Sequence, residues 1–338
     1  MSEKEIKILS VETSCDETAA AVTLNGRRLL SNVIYSQIDL HTVYGGVVPE
    51  IASRAHIEKI NQVIRKALAD ADTSLDDIDA VAVTAGPGLV GALLVGVNAA
   101  KAISYAKKIP LIGVHHIKGH ICANYIADTS LEPPFLCLVA SGGHTHLVKV
   151  LDYTKYEIIG RTRDDAAGEA YDKIARAIGL GYPGGPKVEK AAREGNPEAY
   201  MFPRAKIDEN PYDFSFSGVK SAVLNTINAA NMKGLEVNRN DIAASFQAAV
   251  IDSMKERVAL ALDEFGLEKF AMAGGVASNQ AIRKALSALC EEKGAQFYCP
   301  APVLCTDNAA MIGCAGYYEY LGGNFAGLDL NAYPNMPF

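Results

Sequence analysis

The sequence predicts an α/β protein built from two similar lobes, the second carrying a helical insertion. Three observations lead there. The chain has 338 residues, 49% hydrophobic and 21% charged, which suits two lobes with sizeable cores better than one ordinary domain. A strand, polar turn, strand pattern opens the chain at residues 6–24 and restarts at residues 135–151. Helical and strand patterns alternate after each hairpin, so the repeat is one of organisation.

The elements follow in order. Residues 6–11 read as a strand, 12–18 as a polar turn and 19–24 as a returning strand. Asn25-Gly26 is a strong hairpin signal and leads into a third strand at 29–35. Residues 49–69 carry helical periodicity, with Ile51, Ala55, Ile60, Ile64 and Leu68 on one face. A strand at 78–84, a helix at 89–106 and a strand at 111–114 complete the first part. The second part reads as strands at 135–139, 145–151 and 156–161, then a mostly helical stretch from 166 to about 265. A strand at 270–273, a helix at 277–290, a strand at 296–299 and a helix at 307–320 end the chain. Two such lobes describe the two-lobed actin-like, duplicated RNase H-like fold. The expected lobes are 1–131 with 310–338, and 132–309 with the insertion at about 166–265.

Composition excludes several classes. The net charge of −7 argues against a stand-alone polyanion binder. Any nucleic-acid contact must use a partner or a local patch, for which Arg161, Arg163, Arg176, Lys187, Lys190, Arg193, Arg204 and Lys206 are candidates. The seven cysteines are odd in number, with no C-x-x-C. Reduced thiols in a cytoplasmic protein are therefore expected, rather than a disulfide framework or zinc ribbon. There is no signal-peptide pattern, and the most apolar run, 89–100, is short and rich in Gly and Ala. It reads as a packed helix, not a membrane span.

Three motifs invite chemistry. His116 and His120 are four apart and share a face if helical, the spacing at which two imidazoles meet one metal, though it also suits two polar surface residues. A zincin needs H-E-x-x-H, and no Glu lies between these histidines. Asp307, at a strand-to-helix junction, is the candidate third ligand; helix capping competes for its carboxylate. A His-His-Asp set suits Fe²⁺ or Zn²⁺ as a Lewis acid. Ser141-Gly142-Gly143 fills the second hairpin turn and fits an anion cradle. Gly86-Pro87-Gly88-Leu-Val-Gly91 matches G-x-G-x-x-G but lacks the acidic residue about twenty positions on. It reads as a closely packed helix start, not a dinucleotide site.

Taken together, eight motifs carry a resemblance: Val11-Glu-Thr-Ser-Cys-Asp-Glu-Thr18, Tyr44-Gly-Gly-Val-Val-Pro-Glu50, Ala85-Gly-Pro-Gly-Leu89, Val114-His-His-Ile-Lys-Gly-His120, Ser141-Gly-Gly-His-Thr145, residues 164–172, Phe214-Ser-Phe-Ser-Gly-Val-Lys220 and Gly274-Gly-Val-Ala-Ser-Asn279. The chain resembles the catalytic subunit of bacterial tRNA N6-adenosine threonylcarbamoyltransferases, a family once labelled glycoproteases. The resemblance implies transfer of threonylcarbamoyl from threonylcarbamoyl-adenylate to N6 of the adenosine 3′ of the anticodon, in tRNAs reading codons that begin with A, with release of AMP. It implies one divalent metal, Fe²⁺ before Zn²⁺, on His116, His120 and Asp307. It puts the adenylate in a cleft between the lobes, on Val139, Ala140, Ser141, Gly142, Gly143, Asp172, Gly185, Glu189 and Asn279. Glu189 stands where many members have Asp, Lys118 where members often have Glu, and Ala55 where members often have Asp. Asp16 and Glu17, on the first hairpin turn, are the candidates for base or orienting roles. The partners implied are tRNA, a smaller paralogous actin-like subunit, a P-loop ATPase and an upstream threonylcarbamoyl-adenylate synthase.

Overall fold

The computed structural model describes residues 4–338. β1 (Lys7–Glu12), β2 (Glu17–Leu24) and β3 (Arg28–Ser36) form the expected meander. Asn25 and Gly26 both take the left-handed backbone, at φ 51° and 69°, which is what makes that dipeptide a hairpin turn. α1 (Ile38–Thr42), α2 (Pro49–Asp70), β4 (Ala80–Gly86), α3 (Val90–Lys107), β5 (Leu111–His115) and α4 (His116–Ala127) follow. β6 (Phe135–Ala140), β7 (Thr145–Asp152) and β8 (Lys155–Arg161) repeat the meander. The helical stretch resolves into α5 (Ala167–Ala177), α6 (Gly184–Ala192), α7 (Ser217–Met232) and α8 (Arg239–Phe265). β9 (Lys269–Ala273), α9 (Gln280–Lys293), β10 (Gln296–Tyr298), α10 (Pro302–Cys305) and α11 (Ala309–Leu321) end the chain.

Among the described residues the strands make two five-stranded sheets, ordered β3-β2-β1-β4-β5 and β10-β9-β6-β7-β8. The orders are the same once the second set is renumbered from β6. β1 pairs antiparallel with β2 and parallel with β4; β6 pairs antiparallel with β7 and parallel with β9. This is the duplicated actin-like topology that the sequence predicts.

The chain divides into two units, one running up to Glu132 and resuming at Pro300–Phe338, the other Pro133–Cys299. The expected boundary after residue 309 therefore moves back to 299. Residues 300–309 pack with the first unit because α10 lies against α4. Ser10 Oγ also donates to the Ala309 carbonyl at 2.6 Å. The pattern does not announce α1 or α10, which at five and four residues are too short to show periodicity.

In the first unit β1 alternates sides. Leu9 and Val11 join Ile60, Val63, Ile64 and Val97 in a core under α2 and α3. On the other side α11 crosses β1, β2, β4 and β5 and runs along α4. Glycines let it come close: a Cβ on Gly316 would lie 2.6 Å from Ala82 Cβ. The buried stripe of α2 is Ala52, His56, Ile60, Val63, Ile64 and Ala67. It is rotated from the predicted one, so a histidine lies inside where Ala55 was expected.

Gly316→Val should overpack the α11–β4 contact and destabilise the protein by about 1–3 kcal/mol. A lowered urea midpoint, followed by far-UV circular dichroism, is the measurement; an unchanged midpoint would show that the helix can shift at no cost.

Candidate functional site

His116 opens α4, and His120 follows one turn later on the same face. Asp307 precedes α11. Its Oδ1 lies 3.4 Å from His116 Nε2 and 3.2 Å from His120 Nε2. One ligand atom from each residue can be chosen so that all three lie within 4.8 Å of one another. The competing role for Asp307 is filled by its neighbour: Asn308 is the N-cap of α11 and accepts the Met311 N–H at 3.0 Å.

Glu12 is the residue that sequence reasoning missed. It ends β1 with no exposure. Its Oε2 lies 3.0 Å from His116 Nδ1 and accepts from Thr84 Oγ at 2.6 Å; its Oε1 accepts the Ser14 N–H at 2.5 Å. A buried carboxylate with these partners accepts, so His116 donates through Nδ1 and Nε2 is the atom left to face Asp307. This is the carboxylate–histidine support that metal-binding imidazoles use. His120 is fully buried, and neither ring nitrogen has a hydrogen-bond partner. Its Nε2 has Asp307 Oδ1 as its near polar neighbour, at 3.2 Å. The donor set fits a divalent cation.

The electrostatics agree. Burial alone would lower the His116 pKa, but the Asp307 and Glu12 carboxylates outweigh it and hold it well above the imidazole range. Burial lowers that of His120, against the pull of Asp307. Burial would raise Asp307, yet His116 and His120 hold it far below the usual carboxylate range. The cluster attracts positive charge, whether as a proton on His116 or as a cation in its place.

Cys15 and Asp16 lie in the nearby β1–β2 turn, and Glu17 opens β2. Burial, and then the Asp16 carboxylate, push the Glu17 carboxyl up to about 10. The Glu17 carboxyl therefore holds its proton more tightly than an ordinary carboxyl group does. Burial likewise raises the Cys15 thiol, so no thiolate nucleophile stands here. The G-x-G-x-x-G motif packs closely as expected: a Cβ on Gly88 would lie 2.6 Å from the Ser14 carbonyl.

The second unit gathers most of the predicted adenylate positions around the ends of β6 and β9. Ser141 N–H donates to the His144 carbonyl at 2.8 Å, closing the hairpin turn. Gly142 and Gly143 are open, with no atom within 4 Å of an added Cβ. Gly168 N–H donates to the Ser141 carbonyl, which brings α5 against the turn. Asp172 Oδ1 accepts the Gly184 N–H at 2.7 Å, which joins α5 to α6 beside Gly185. Glu189 Oε1 accepts the Gln280 N–H at 3.1 Å, joining α6 to the start of α9. Val139 and Ala140 have no exposure and are the floor of this region, not its lining. Asn279 is largely committed: its Oδ1 caps α9, and its amide donates to Gln247 at 2.8 Å. Gln247, which the sequence did not suggest, also accepts from Tyr171. In the predicted basic patch, Arg163, Arg193 and Arg204 are paired with Asp213, Glu189 and Asp252.

Residues 28–314 match the family description of tRNA N6-adenosine threonylcarbamoyltransferase. A protein of that name from Clostridium novyi is 60% identical over 334 residues, 98% of each chain. One from Clostridium perfringens is 59% identical over 329 residues, 97% of each chain. Among solved structures, T. kodakarensis HypF gives a TM-score of 0.62 at 17% identity, over 97% of this chain and 49% of that one. Component A of the Acidaminococcus fermentans (R)-2-hydroxyglutaryl-CoA dehydratase gives 0.54 at 15% identity, over 94% and 99%. These two likenesses speak to the fold alone.

Glu12→Gln replaces one acceptor oxygen by a donor and should weaken divalent-metal binding about 10- to 100-fold with the fold intact. Competition against a chromophoric chelator reads this, and unchanged affinity would rule out the supporting role of Glu12.

Proposed function

The chain belongs to the tRNA N6-adenosine threonylcarbamoyltransferase family, and on that premise we propose that it moves the threonylcarbamoyl group of threonylcarbamoyl-adenylate to N6 of the adenosine 3′ of the anticodon, in tRNAs reading codons that begin with A, with release of AMP. The observation that carries this reading is the near-full-length match to relatives of that one name. The geometry supports it by supplying a cation-ready group in the first unit and a set of backbone and carboxylate contacts in the second.

The adenylate is a mixed anhydride and already activated, so the protein has to bind it, orient it and manage one proton. The open Gly142 and Gly143 turn offers backbone N–H groups to the phosphate. Asp172 and Glu189 serve the nucleoside hydroxyls, and Gly185 leaves room for them. His116, His120 and Asp307 would hold one divalent metal, Fe²⁺ before Zn²⁺. When bound, it supplies Lewis-acid polarisation of the carbamoyl group. Asp16 takes the proton of the attacking amine, and the protonated Glu17 acts as a donor beside it. The upstream synthase supplies the adenylate, and a smaller paralogous subunit and a P-loop ATPase assist with tRNA.

A peptidase reading gains nothing from the structure. Glu12 lies on the Nδ1 side of His116, opposite the nitrogen that faces Asp307, and its oxygens are held by His116, Thr84 and Ser14.

With tRNA, threonine, bicarbonate, ATP and the partner proteins, the purified chain should form threonylcarbamoyladenosine, detected by nucleoside mass spectrometry. His116→Ala with His120→Ala should abolish product and bound metal together; a double variant that keeps both would refute the metal assignment. Asp16→Asn should lower kcat by roughly 100-fold, whereas Glu17→Gln, which preserves a neutral side chain, should stay within a few-fold. Equal losses would mean that Glu17 acts ionised.

A further inference from the structure

The Tyr44–Glu50 motif and the buried His56 have no part in the chemistry above, yet they belong to one continuous hydrogen-bond chain. His56 sits on the inner face of α2 with no exposure. Its Nε2 lies 2.9 Å from the Cys15 carbonyl, which only accepts, so Nε2 carries the proton. Its Nδ1 is then an acceptor, and it faces Thr18 Oγ at 2.7 Å and Gln37 Nε2 at 3.4 Å, both donors. Gln37 Oε1 in turn accepts from His41 Nε2 at 3.2 Å. His41 Nδ1 accepts the Val48 N–H at 3.3 Å. From Val48 through His41, Gln37 and His56 to the Cys15 carbonyl every donor meets an acceptor in one direction, and the Thr18 hydroxyl donates into the chain from β2. The same Gln37 also donates its backbone N–H to the Asp16 carbonyl at 3.0 Å. The carbonyls of Cys15 and Asp16 are thus both tied down, one by His56 of α2 and the other by Gln37, the N-cap of α1.

We propose that this Val48–His41–Gln37–His56–Cys15 chain is the clamp that sets the β1–β2 turn, and that His56 is a positioning residue for the transfer because it fixes the turn backbone that carries Asp16. The second half of the proposal rests on the role of Asp16 given above. Burial keeps the His56 pKa below the ordinary imidazole value, in keeping with the neutral ring that the bonding pattern demands. Tyr44-Gly-Gly-Val-Val-Pro-Glu50 then has a physical role: it brings the Val48 N–H to His41 and starts α2 where His56 can reach the turn.

Cys15 makes the clamp measurable without reference to activity, since it lies in the turn and burial raises its thiol pKa. In the full-length protein, His56→Ala should raise the rate of Cys15 alkylation by iodoacetamide, followed by peptide mass mapping, at least ~10-fold. It should lower kcat by a similar factor, leave KM for the adenylate within about two- to three-fold and leave metal content unchanged. His56→Gln places an amide N–H near the Nε2 position and should restore Cys15 protection; His56→Asn reaches only the Nδ1 position and should not. If His56→Ala does not fold, Thr18→Val keeps the side-chain shape and should move both readouts in the same direction. Cys15 reactivity that stays at the wild-type level, or that is equal in the Gln and Asn variants, would overturn the clamp. Raised reactivity with unchanged kcat would leave the clamp standing, overturn the positioning role and count against Asp16 as the base.

Discussion

The Glu12–His116 hydrogen bond is the contact on which the rest of the first unit depends. Glu12 has no exposure, and a carboxylate in such a place is tolerated only when paired and fully hydrogen-bonded. The pairing draws four elements together: β1 supplies Glu12, β4 supplies Thr84, the start of α4 supplies His116, and the segment before α11 supplies Asp307. Removing one partner of such a group typically costs about 3–5 kcal/mol, because the other charge stays buried. The same bond selects Nε2 as the His116 ring nitrogen that faces Asp307. The burial of Glu12 and the orientation of His116 therefore rest on one interaction.

Much of this was legible in the sequence, for reasons that can be named. Asn25-Gly26 announces its hairpin because few other dipeptides take two left-handed residues cheaply. The His116 and His120 pair is legible because helical spacing alone brings the rings together. Glu12 was not legible, since its partner is more than a hundred residues away and its own surroundings read as the start of a polar turn. Asp307 and Asn308 could not be separated either: both cap helices well, and only the fold shows which oxygen meets Met311. His56 was missed because one alternative register of α2 buries more apolar residues on paper.

The second unit shows a different limit. Gly168, Gly184 and Gly274 all allow backbone to approach backbone, as Cβ atoms there would fall within 3 Å of Ser141, Asp172 or Ala140. Gly142, Gly143 and Gly185 stand open. A glycine kept for packing and one kept for a ligand look alike in a sequence, and space around the missing Cβ separates them. The same test disposes of the G-x-G-x-x-G motif, where Ser14 backbone occupies the space beside Gly88.

The first unit is interrupted: the chain leaves it after Glu132 and returns at Pro300. A ribosome must therefore make the whole second unit before α11 exists to cover the outer face of the first sheet. At about 5–20 residues per second that wait is roughly ten to thirty seconds. During it the β1, β2, β4 and β5 side chains that α11 will cover are bare, and His116 and His120 have no Asp307. The first sheet is thus covered only late in synthesis, and the His116, His120 and Asp307 group is complete only once residue 307 has been made.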